Sequence, residues 1–208
     1  VIFDWDGTLA DTKRFVVNSF QKVLTEIGCN VTDEFIERLI GIGARNTFRK
    51  ALEATDVPFD EKKTDELVKK KIRVQMELTE TVNLFEGAVD LLGFLENKAK
   101  MALATMSNRR VINKLLKERG VGKYFDYVIT ADEVHQPKPN PEAFLKCARK
   151  LRCSPDKCVV VEDSIFGVKA AKEAKMKCIA IPSGAYSIEE LKRQNPDLIA
   201  NSLREKEK

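Results

Sequence analysis

The chain has 208 residues, of which 43% are hydrophobic and 33% are charged, and its formal net charge is +4. This composition is typical of a soluble globular protein with one large domain, or with a core and a smaller inserted domain. The basic residues are too scattered for a nucleic-acid-binding surface, and no export signal or apolar run of 18 residues is present, so we expect a cytoplasmic protein without a membrane partner.

The first predicted element is a buried strand at Val1–Phe3, which runs directly into two carboxylates, Asp4 and Asp6, and a glycine turn at Gly7. Two aspartates two residues apart at a strand end repel each other and raise each other's pKa unless a cation lies between them. Such a pair is out of place in a structural core, so it predicts a reactive site.

The stretch from 12 to 82 contains no convincing strand. Its apolar patterns predict helices over 12–27, 33–40, 45–55 and 61–80. We interpret residues 12–82 as an inserted all-α cap domain, attached through linkers near Ala10-Asp11 and near Asn83-Glu86. Residues 1–11 and 83–208 then form the catalytic core domain.

From residue 83 onward, predicted helices and strands alternate. Uninterrupted apolar runs, as expected for strands covered on both faces, lie at 101–104, 127–129, 159–161 and 178–181. Helical patterns lie at 86–98, 108–119, 141–151 and 165–175. The alternation predicts an α/β fold with a doubly wound parallel sheet. The C-terminus from Leu203 is expected to be a solvated tail.

The cysteine and histidine content bears on metal sites and redox state. The cysteines are at 29, 147, 153, 158 and 178, with no C-x-x-C pair, and His135 is the single histidine of the sequence. These spacings do not match a zinc site, so reduced thiols of a cytoplasmic protein are the preferred interpretation.

Chemistry-bearing side chains follow several of the predicted strands. Thr105 and Ser107 follow the strand at 101–104, Lys138 lies in the loop after 127–129, and the pair Glu162-Asp163 follows 159–161. In open parallel sheets, sites form beyond the carboxyl ends of the strands, so we expect these groups to meet the opening aspartates there.

This set of groups suits phosphate chemistry. Converging carboxylates without a cation would be strongly destabilising, and oxygen ligands favour Mg²⁺. A hydroxyl and backbone N–H groups at a helix N-terminus bind a phosphate dianion, and a fixed lysine offsets the charge that develops in transfer. One aspartate can then attack phosphorus while the other exchanges protons with the leaving oxygen and with water.

The motifs resemble those of the haloacid dehalogenase superfamily. Asp4-Trp5-Asp6-Gly7-Thr8 is similar to its D-x-D-G-T motif, and the other three motifs follow in order at Thr105, at Lys138 in Lys-Pro-Asn-Pro, and at Glu162-Asp163-Ser164 with Gly167. The resemblance covers essentially the whole chain. It implies a Rossmann-like core whose helical cap lies between the first and second motifs, where this chain has its helical insertion.

The resemblance also implies roles for the acidic residues. Asp4 is implied to be the nucleophile that becomes an aspartyl-phosphate and a Mg²⁺ ligand. Asp6 is implied to be the general acid/base, with its backbone carbonyl also on the metal. Asp163 is implied to be the remaining protein ligand, and Glu162 a direct or water-mediated one.

The remaining motif residues are implied to bind phosphate. Thr105 and Lys138 resemble the family's phosphate clamp, and Ser107 is a further hydroxyl that we assign to phosphate or to a helix cap. True dehalogenases lack the second aspartate, so Asp6 favours phosphate chemistry over cleavage of a carbon–halogen bond.

The substrate preference is expected to lie in the cap. Leu39–Ala44 resembles a Gly-x-Gly-Ala segment in the caps of phosphoglycolate phosphatases, which makes Gly43 and the nearby Arg45 candidate specificity residues. The β-phosphoglucomutase branch has a similar cap but carries a histidine shortly after its Asp-Thr pair. Here the residue at that position after Asp11-Thr12 is Val16, so the sequence favours a mutase less than a phosphatase.

We therefore expect a Mg²⁺-dependent phosphatase acting on a small phosphomonoester, phosphoglycolate-like or a sugar phosphate. The alternative is a β-phosphoglucomutase-like phosphoryl-transfer isomerase. A phosphate-binding protein without turnover is a third hypothesis, which the complete motif set disfavours. The expected partner is a small phosphorylated metabolite, and both a monomer and a homodimer are compatible with the sequence.

Overall fold

The computed structural model describes residues 1–204 and contains a parallel sheet with helices on both faces. The strands are β1 (Ile2–Phe3), β2 (Ala10–Asp11), β3 (Asn83–Leu84), β4 (Ala102–Ala104), β5 (Tyr127–Ile129), β6 (Val159–Glu162), β7 (Lys177–Ala180) and β8 (Leu198–Ile199). The helices are α1 (Lys13–Thr25), α2 (Asp33–Glu37), α3 (Ala44–Ala54), α4 (Glu61–Leu78), α5 (Ala88–Leu95), α6 (Arg109–Glu118), α7 (Glu142–Leu151), α8 (Ile165–Glu173) and α9 (Ile188–Lys192).

The main sheet has the strand order β5-β4-β1-β6-β7-β8, and all its neighbours are parallel. Successive side chains of a strand point to opposite faces. Phe3 and Leu103 therefore join an apolar cluster with α5 and α6, whereas Ile2 and Ala102 pack with α7 and α8. Helices cover both faces, which confirms the predicted doubly wound α/β fold.

Helices α1 to α4 lie between β2 and β3, in the predicted helical insertion. The two predicted linkers are paired with each other, since β2 and β3 form a short antiparallel ladder with Ala10 opposite Leu84. Phe20 of α1 and Phe48 of α3 pack edge to face, with their ring centroids 4.8 Å apart. Both belong to the same apolar cluster as Phe3 of the sheet, so the helical segment and the core bury side chains together.

Helix ends follow local capping chemistry. Asp60 begins α4 by accepting a hydrogen bond from Lys63 N–H at 2.7 Å, and Asn108 begins α6 by accepting one from Arg110 N–H at 3.0 Å. After α6, Gly120 has φ +68°, a left-handed conformation that glycine adopts readily. The predicted boundaries of these helices are close to the observed ones for this reason.

The C-terminal region differs from the expectation. Helix α9 and strand β8 had no predicted counterpart. Leu203, where the solvated tail was expected to begin, packs partly buried against the core instead. The rest of the expected tail, 205–208, lies outside the described residues.

Two bulk expectations also bear on the fold. All five cysteines lie within the described residues and are free thiols, as the reduced interpretation expects. Across residues 1–204, no helix has both the length and the apolar character needed to cross a bilayer.

Candidate active site

The candidate active site lies at the carboxyl edge of the sheet, where β4, β1 and β6 end side by side. Asp4 directly follows β1, Thr105 follows β4, and Glu162 is the last residue of β6. Since β1 is paired in parallel with both neighbours, side chains far apart in the sequence meet at this edge.

Lys138 reaches the centre of this edge from the loop before α7. Its ammonium donates to Asp4 Oδ1 and to Glu162 Oε1, each at 2.6 Å, and to the Ala104 carbonyl at 3.1 Å. The side chain is almost fully buried. Burial alone would lower the pKa of Lys138, but the two carboxylates outweigh burial and raise it, so the lysine remains an ammonium.

Three carboxylates surround this lysine. Oxygen atoms of Asp4, Glu162 and Asp163 all lie within 4.8 Å of one another, and all three residues are buried. Burial raises the pKa of Asp4 well above its ordinary value, with Lys138 opposing that rise and Glu162 adding to it. Burial likewise raises the pKa of Asp163, and the neighbouring carboxylates raise it further.

The charge balance of this cluster fits a divalent cation. Three ionised carboxylates around one ammonium leave a net charge of about −2 in a buried site, which is costly unless a cation is present. The donor set is made of oxygens only, which is the preference of hard cations such as Mg²⁺. Asp4, Asp163 and Glu162 are therefore the described carboxylates that lie close enough together to surround a metal ion.

Glu162 and Asp163 are held in place by different contacts. Glu162 Oε2 accepts hydrogen bonds from the N–H groups of Asp163 and Ser164, both at 3.0 Å, in addition to its bond through Oε1 with Lys138. Asp163 Oδ1 accepts a hydrogen bond from Thr8 at 2.9 Å. Because both oxygens of Glu162 are engaged, its geometry favours orienting Lys138 over binding a metal directly.

Small residues make room for these carboxylates. A Cβ added at Gly184 would lie 1.9 Å from Asp163 Oδ2, and one added at Gly7 would lie 2.3 Å from the same atom. A Cβ at Gly167 would lie 1.8 Å from the Glu162 carboxylate. Gly7 is therefore required both by close approach and by its φ of +85°, whereas Gly167 lies within α8 and is required by close approach alone.

Asp6 lies beside the cluster and is held by two hydroxyls. Asp6 Oδ2 accepts hydrogen bonds from Ser107 Oγ at 2.7 Å and from Thr105 Oγ1 at 3.1 Å. Its other carboxylate oxygen is buried without a hydrogen-bond partner among the described residues. An oriented carboxylate with one open oxygen can exchange a proton with a group placed next to it.

The helical segment covers this edge and leaves space above Asp6. A narrow space of about 20 Å³ is lined by Asp6, Ser107 and Val16, together with residues of α3 and α4. It adjoins a larger space of about 450 Å³ between α3, α4 and the loops after β4 and β5, which we call the cap cleft. The two spaces share the lining residues Gly43, Ala44, Lys71 and Met106.

The two predicted specificity residues differ in their surroundings. Gly43 precedes α3 with φ +86°, a conformation that favours glycine, and it lines both spaces. Arg45 lines the cap cleft, but its guanidinium is ion-paired with Glu61 at 2.6 Å and also with Asp65. Its charge is therefore largely offset by α4.

Lys71 of α4 is a charged residue of the cleft without an anionic partner. It is 5% exposed, its ammonium lies 4.7 Å from the centre of the Phe20 ring, and it has no ion pair or hydrogen bond among residues 1–204. Burial lowers the pKa of Lys71 to about 8, with the nearby Asp6 charge opposing that fall. A desolvated cation beside Asp6 is available to a polar ligand.

Known proteins are similar to this chain in sequence and in fold. The family described as "Haloacid dehalogenase-like hydrolase" matches residues 1–181 of this sequence. The chain belongs to this hydrolase family. A relative from Thermotoga maritima, named phosphorylated carbohydrates phosphatase, is 32% identical over 182 residues, which cover 86% of this chain and 82% of the relative. Phosphoglycolate phosphatase 1 from Pseudomonas aeruginosa is 30% identical over 210 residues, which cover 99% of this chain and 77% of the relative.

A solved structure supports the fold of this hydrolase. The β-phosphoglucomutase from Clostridium difficile superposes with a TM-score of 0.87 at 26% identity, with 97% of this chain and 90% of that chain covered. The similarity spans the sheet and the helical segment, since the covered share of this hydrolase exceeds either part alone.

The hydrolase brings the predicted motif residues to one edge of the sheet. The residues assembled there are Asp4, Asp6, Thr105, Ser107, Lys138, Glu162 and Asp163. Thr105 and Ser107, which the sequence assigns to phosphate, both donate to Asp6 in the structure. Their phosphate-binding role stays a prediction, as do the catalytic roles of the carboxylates.

Sequence reasoning missed two residues of this hydrolase's site. Thr8 was part of the first motif, but its contact with Asp163 depends on how β1 and β6 meet. Lys71 could have been found from its position in the helical pattern. It shares the inward face of α4 with Leu67 and Val74. A lysine on an apolar helix face is a candidate for a buried functional charge.

Proposed function

We propose that this hydrolase is a Mg²⁺-dependent phosphatase that releases inorganic phosphate from a small phosphomonoester through an aspartyl-phosphate at Asp4. The observation that carries the proposal is the buried carboxylate of Asp4, held by Lys138 at 2.6 Å within a cluster of further carboxylates. The names of the two relatives, a carbohydrate-phosphate and a phosphoglycolate phosphatase, support this class of substrate.

The residues that would hold Mg²⁺ are Asp4 and Asp163, with the backbone carbonyl of Asp6. Glu162 fits a water-mediated contact, because its own oxygens already accept several hydrogen bonds. The bound metal would supply positive charge that lowers the repulsion between a carboxylate nucleophile and a phosphate dianion.

In the first half-reaction, one oxygen of Asp4 attacks phosphorus and the bond to the substrate's alcohol oxygen breaks. Lys138 keeps its proton and offsets part of the charge on the transferred group. Asp6 delivers a proton to the leaving oxygen, so the alcohol departs neutral. The product on the protein is an acyl-phosphate at Asp4.

In the second half-reaction, Asp6 takes a proton from water, and that water attacks the phosphorus of the acyl-phosphate. The bond from phosphorus to Asp4 breaks, inorganic phosphate leaves, and Asp4 is restored. We also propose that residues 12–82 act as a cap domain that closes over the substrate, excludes bulk water and admits one water for this step.

A β-phosphoglucomutase-like isomerase would use the same acyl-phosphate but return the phosphoryl group to a sugar hydroxyl. The fold similarity to a β-phosphoglucomutase is compatible with that reaction. Against it, the side chain beside Asp6 at the family's cap-histidine position is Val16, which is 4% exposed and has no group that exchanges protons. Phosphatase is therefore the proposal that the residues favour.

The deciding experiment measures phosphate release from p-nitrophenyl phosphate by the purified chain with Mg²⁺ and with EDTA. We expect activity with Mg²⁺, loss of activity with EDTA, and recovery when Mg²⁺ is restored. Asp4→Asn should lower turnover by about 10⁴-fold or more while the protein still folds. Asp90→Asn is the matched control, because Asp90 is an exposed carboxylate of α5.

Two outcomes would overturn the proposal. Substantial turnover by Asp4→Asn would exclude Asp4 as the nucleophile. Interconversion of glucose phosphates at a rate above that of phosphate release would establish the isomerase instead. Beryllium fluoride mimics the phosphoryl group of an acyl-phosphate, so we expect it to bind at Asp4. Binding elsewhere would count against the mechanism.

A further inference from the structure

Gln75 is a buried amide of α4 without a partner. It is 0% exposed, and neither its Nε2 nor its Oε1 has a hydrogen-bond partner among the described residues. Burying an amide without hydrogen-bond partners is energetically costly. Such a side chain calls for a ligand, because leucine or methionine would fill the same position without that cost.

Lys71 lies one helical turn before Gln75, on the same face of α4. Lys71 lines both the narrow space at Asp6 and the cap cleft, and Gln75 lines the cap cleft. Lys71 is thus common to both spaces, and the cap cleft is the described space into which the alcohol part of a phosphomonoester can extend when its phosphorus is at Asp4.

We propose that Lys71 and Gln75 bind the leaving group of the substrate, and that this leaving group carries several hydroxyls, as in a sugar or polyol phosphate. The inference rests on the proposed phosphatase function and names the chemistry of its substrate. It also assigns two residues of α4 as specificity-determining residues.

The chemistry of Gln75 separates hydroxyls from a carboxylate. An amide offers two N–H donors and one carbonyl acceptor, and a hydroxyl can both accept and donate. A carboxylate only accepts, so a two-carbon acid such as glycolate would leave Gln75 Oε1 buried without a donor. A polyol satisfies both ends of the amide.

Lys71 is the second group of the cleft that can contact such a leaving group. Arg45 and Arg49 both line the cleft, but each is ion-paired with Glu61 of α4. Lys71 therefore has the ammonium that remains without an anionic partner in the described cleft, and it can donate to hydroxyl or ring oxygens.

The size of the cleft also suits a leaving group larger than two carbons. Its volume of about 450 Å³ corresponds to about 15 water molecules at liquid density. A glycolate would fill a small part of that space, whereas a chain or ring of five or six carbons with hydroxyls would reach from Lys71 to Gln75.

The test compares kcat/KM for fructose 1-phosphate, 2-phosphoglycolate and p-nitrophenyl phosphate, with Mg²⁺ and the full chain. Gln75→Leu should lower kcat/KM for the sugar phosphate by about tenfold to a hundredfold. It should leave kcat/KM for p-nitrophenyl phosphate within about threefold of the wild-type value, because nitrophenol has no further hydroxyl to bind. Lys71→Met should lower kcat/KM for all three substrates, because Lys71 also lines the space at Asp6, with the largest loss for the sugar phosphate. Lys70→Met, at an exposed neighbour, should leave kcat/KM unchanged for all three substrates.

A binding measurement separates recognition from turnover. In the Asp4→Asn background, we expect fructose 1-phosphate to bind about tenfold more weakly after Gln75→Leu, by titration calorimetry. The melting temperature of Gln75→Leu should equal or exceed that of the wild type, because leucine removes a buried unsatisfied amide. Gln75→Met, which keeps the length of the side chain, should behave in the same way, and melting of both variants below the wild type would contradict an unsatisfied amide at Gln75.

The outcomes distinguish this inference from the proposed function. If the wild type releases no phosphate from p-nitrophenyl phosphate with Mg²⁺, the phosphatase proposal is wrong. If the wild type does release phosphate, but Gln75→Leu lowers kcat/KM equally for all three substrates, the recognition role of Gln75 is wrong. A wild type that prefers 2-phosphoglycolate over fructose 1-phosphate by tenfold or more would overturn the polyol assignment alone.

Discussion

Replacing Lys71 by methionine should stabilise the protein, although the lysine lies at the proposed site. The substitution keeps an unbranched side chain of similar length against Phe20 and removes a charge that is 5% exposed. Burial lowers the pKa of Lys71 from 10.5 to about 8. At 1.36 kcal/mol for each tenfold change in acidity, holding the ammonium charged in the folded state costs about 3 kcal/mol at pH 7.

The net gain is smaller than this figure because the contact with the Phe20 ring is also lost. A buried cation–π contact contributes about 0.5–2 kcal/mol, so Lys71→Met should raise the free energy of unfolding by about 1–3 kcal/mol. For a protein of this size, that corresponds to a rise in melting temperature of about 3–10 °C. We expect less phosphatase selectivity together with more stability.

The difference in the free energy of unfolding between Lys71→Met and the wild type should decrease as pH rises. Below pH 8 the lysine is protonated in both the folded and the unfolded wild type, and its destabilising effect is full. Between pH 8 and 10.5 the unfolded chain binds more protons than the folded one, so the stability of the wild type rises relative to the variant. The advantage of Lys71→Met should therefore shrink as pH rises through this window.

Thermal and urea unfolding with EDTA present, at pH 7 and at pH 9.5, measure both effects without bound metal. Lys70→Met is the matched control, since Lys70 is exposed and should stay within about 0.5 kcal/mol of the wild type. A Lys71→Met protein that melts below the wild type at pH 7 would refute the argument. So would an advantage that grows between pH 7 and pH 9.5.

Three further predictions concern other parts of the site. Lys138→Met should lose phosphate release and about 3–5 kcal/mol of stability, measured by urea unfolding, because two buried carboxylates lose their cation; an unchanged midpoint would contradict the burial argument. Gly184→Ala should raise the Mg²⁺ concentration for half-maximal activity by about tenfold, since its Cβ displaces Asp163; an unchanged Mg²⁺ titration would count against Asp163 as a ligand. Arg38→Ala should raise KM more than it lowers kcat, because the ion pair of Arg38 with Glu190 at 2.5 Å joins the end of α2 to α9. Kinetic constants equal to those of the wild type would show that this contact does not position the helical segment.

The sheet and the motif positions were accessible from sequence because they depend on short-range signals. Apolar runs locate the strands, and the residue after each strand is placed at the carboxyl edge by the strand itself. The position after a strand end was enough to group Asp4, Thr105 and Glu162, without any information about side-chain contacts. Helix α9 and strand β8 were not predicted, although α2 and β1, which have the same lengths, were.

The contacts inside the site were less accessible. The sequence left open whether Glu162 would bind a metal directly, and its hydrogen bonds to Lys138 and to the start of α8 now favour an orienting position. Arg45 was a candidate for binding the substrate, yet it is paired with Glu61 and Asp65. Which charge partners which depends on the packing of α3 against α4, and a single sequence contains no signal for that packing.

The sequence by itself determined the family, the doubly wound sheet and the cluster of reactive groups, because each of these is written in local patterns that follow strand ends. Only the tertiary structure decided which side chains of the helical segment face the cluster. Lys71 and Gln75 both line the cap cleft because α4 packs with that face toward it, an arrangement set by contacts between distant segments. The family and the positions of its motifs were therefore predictable from local pattern, while the contacts of the helical segment required the fold.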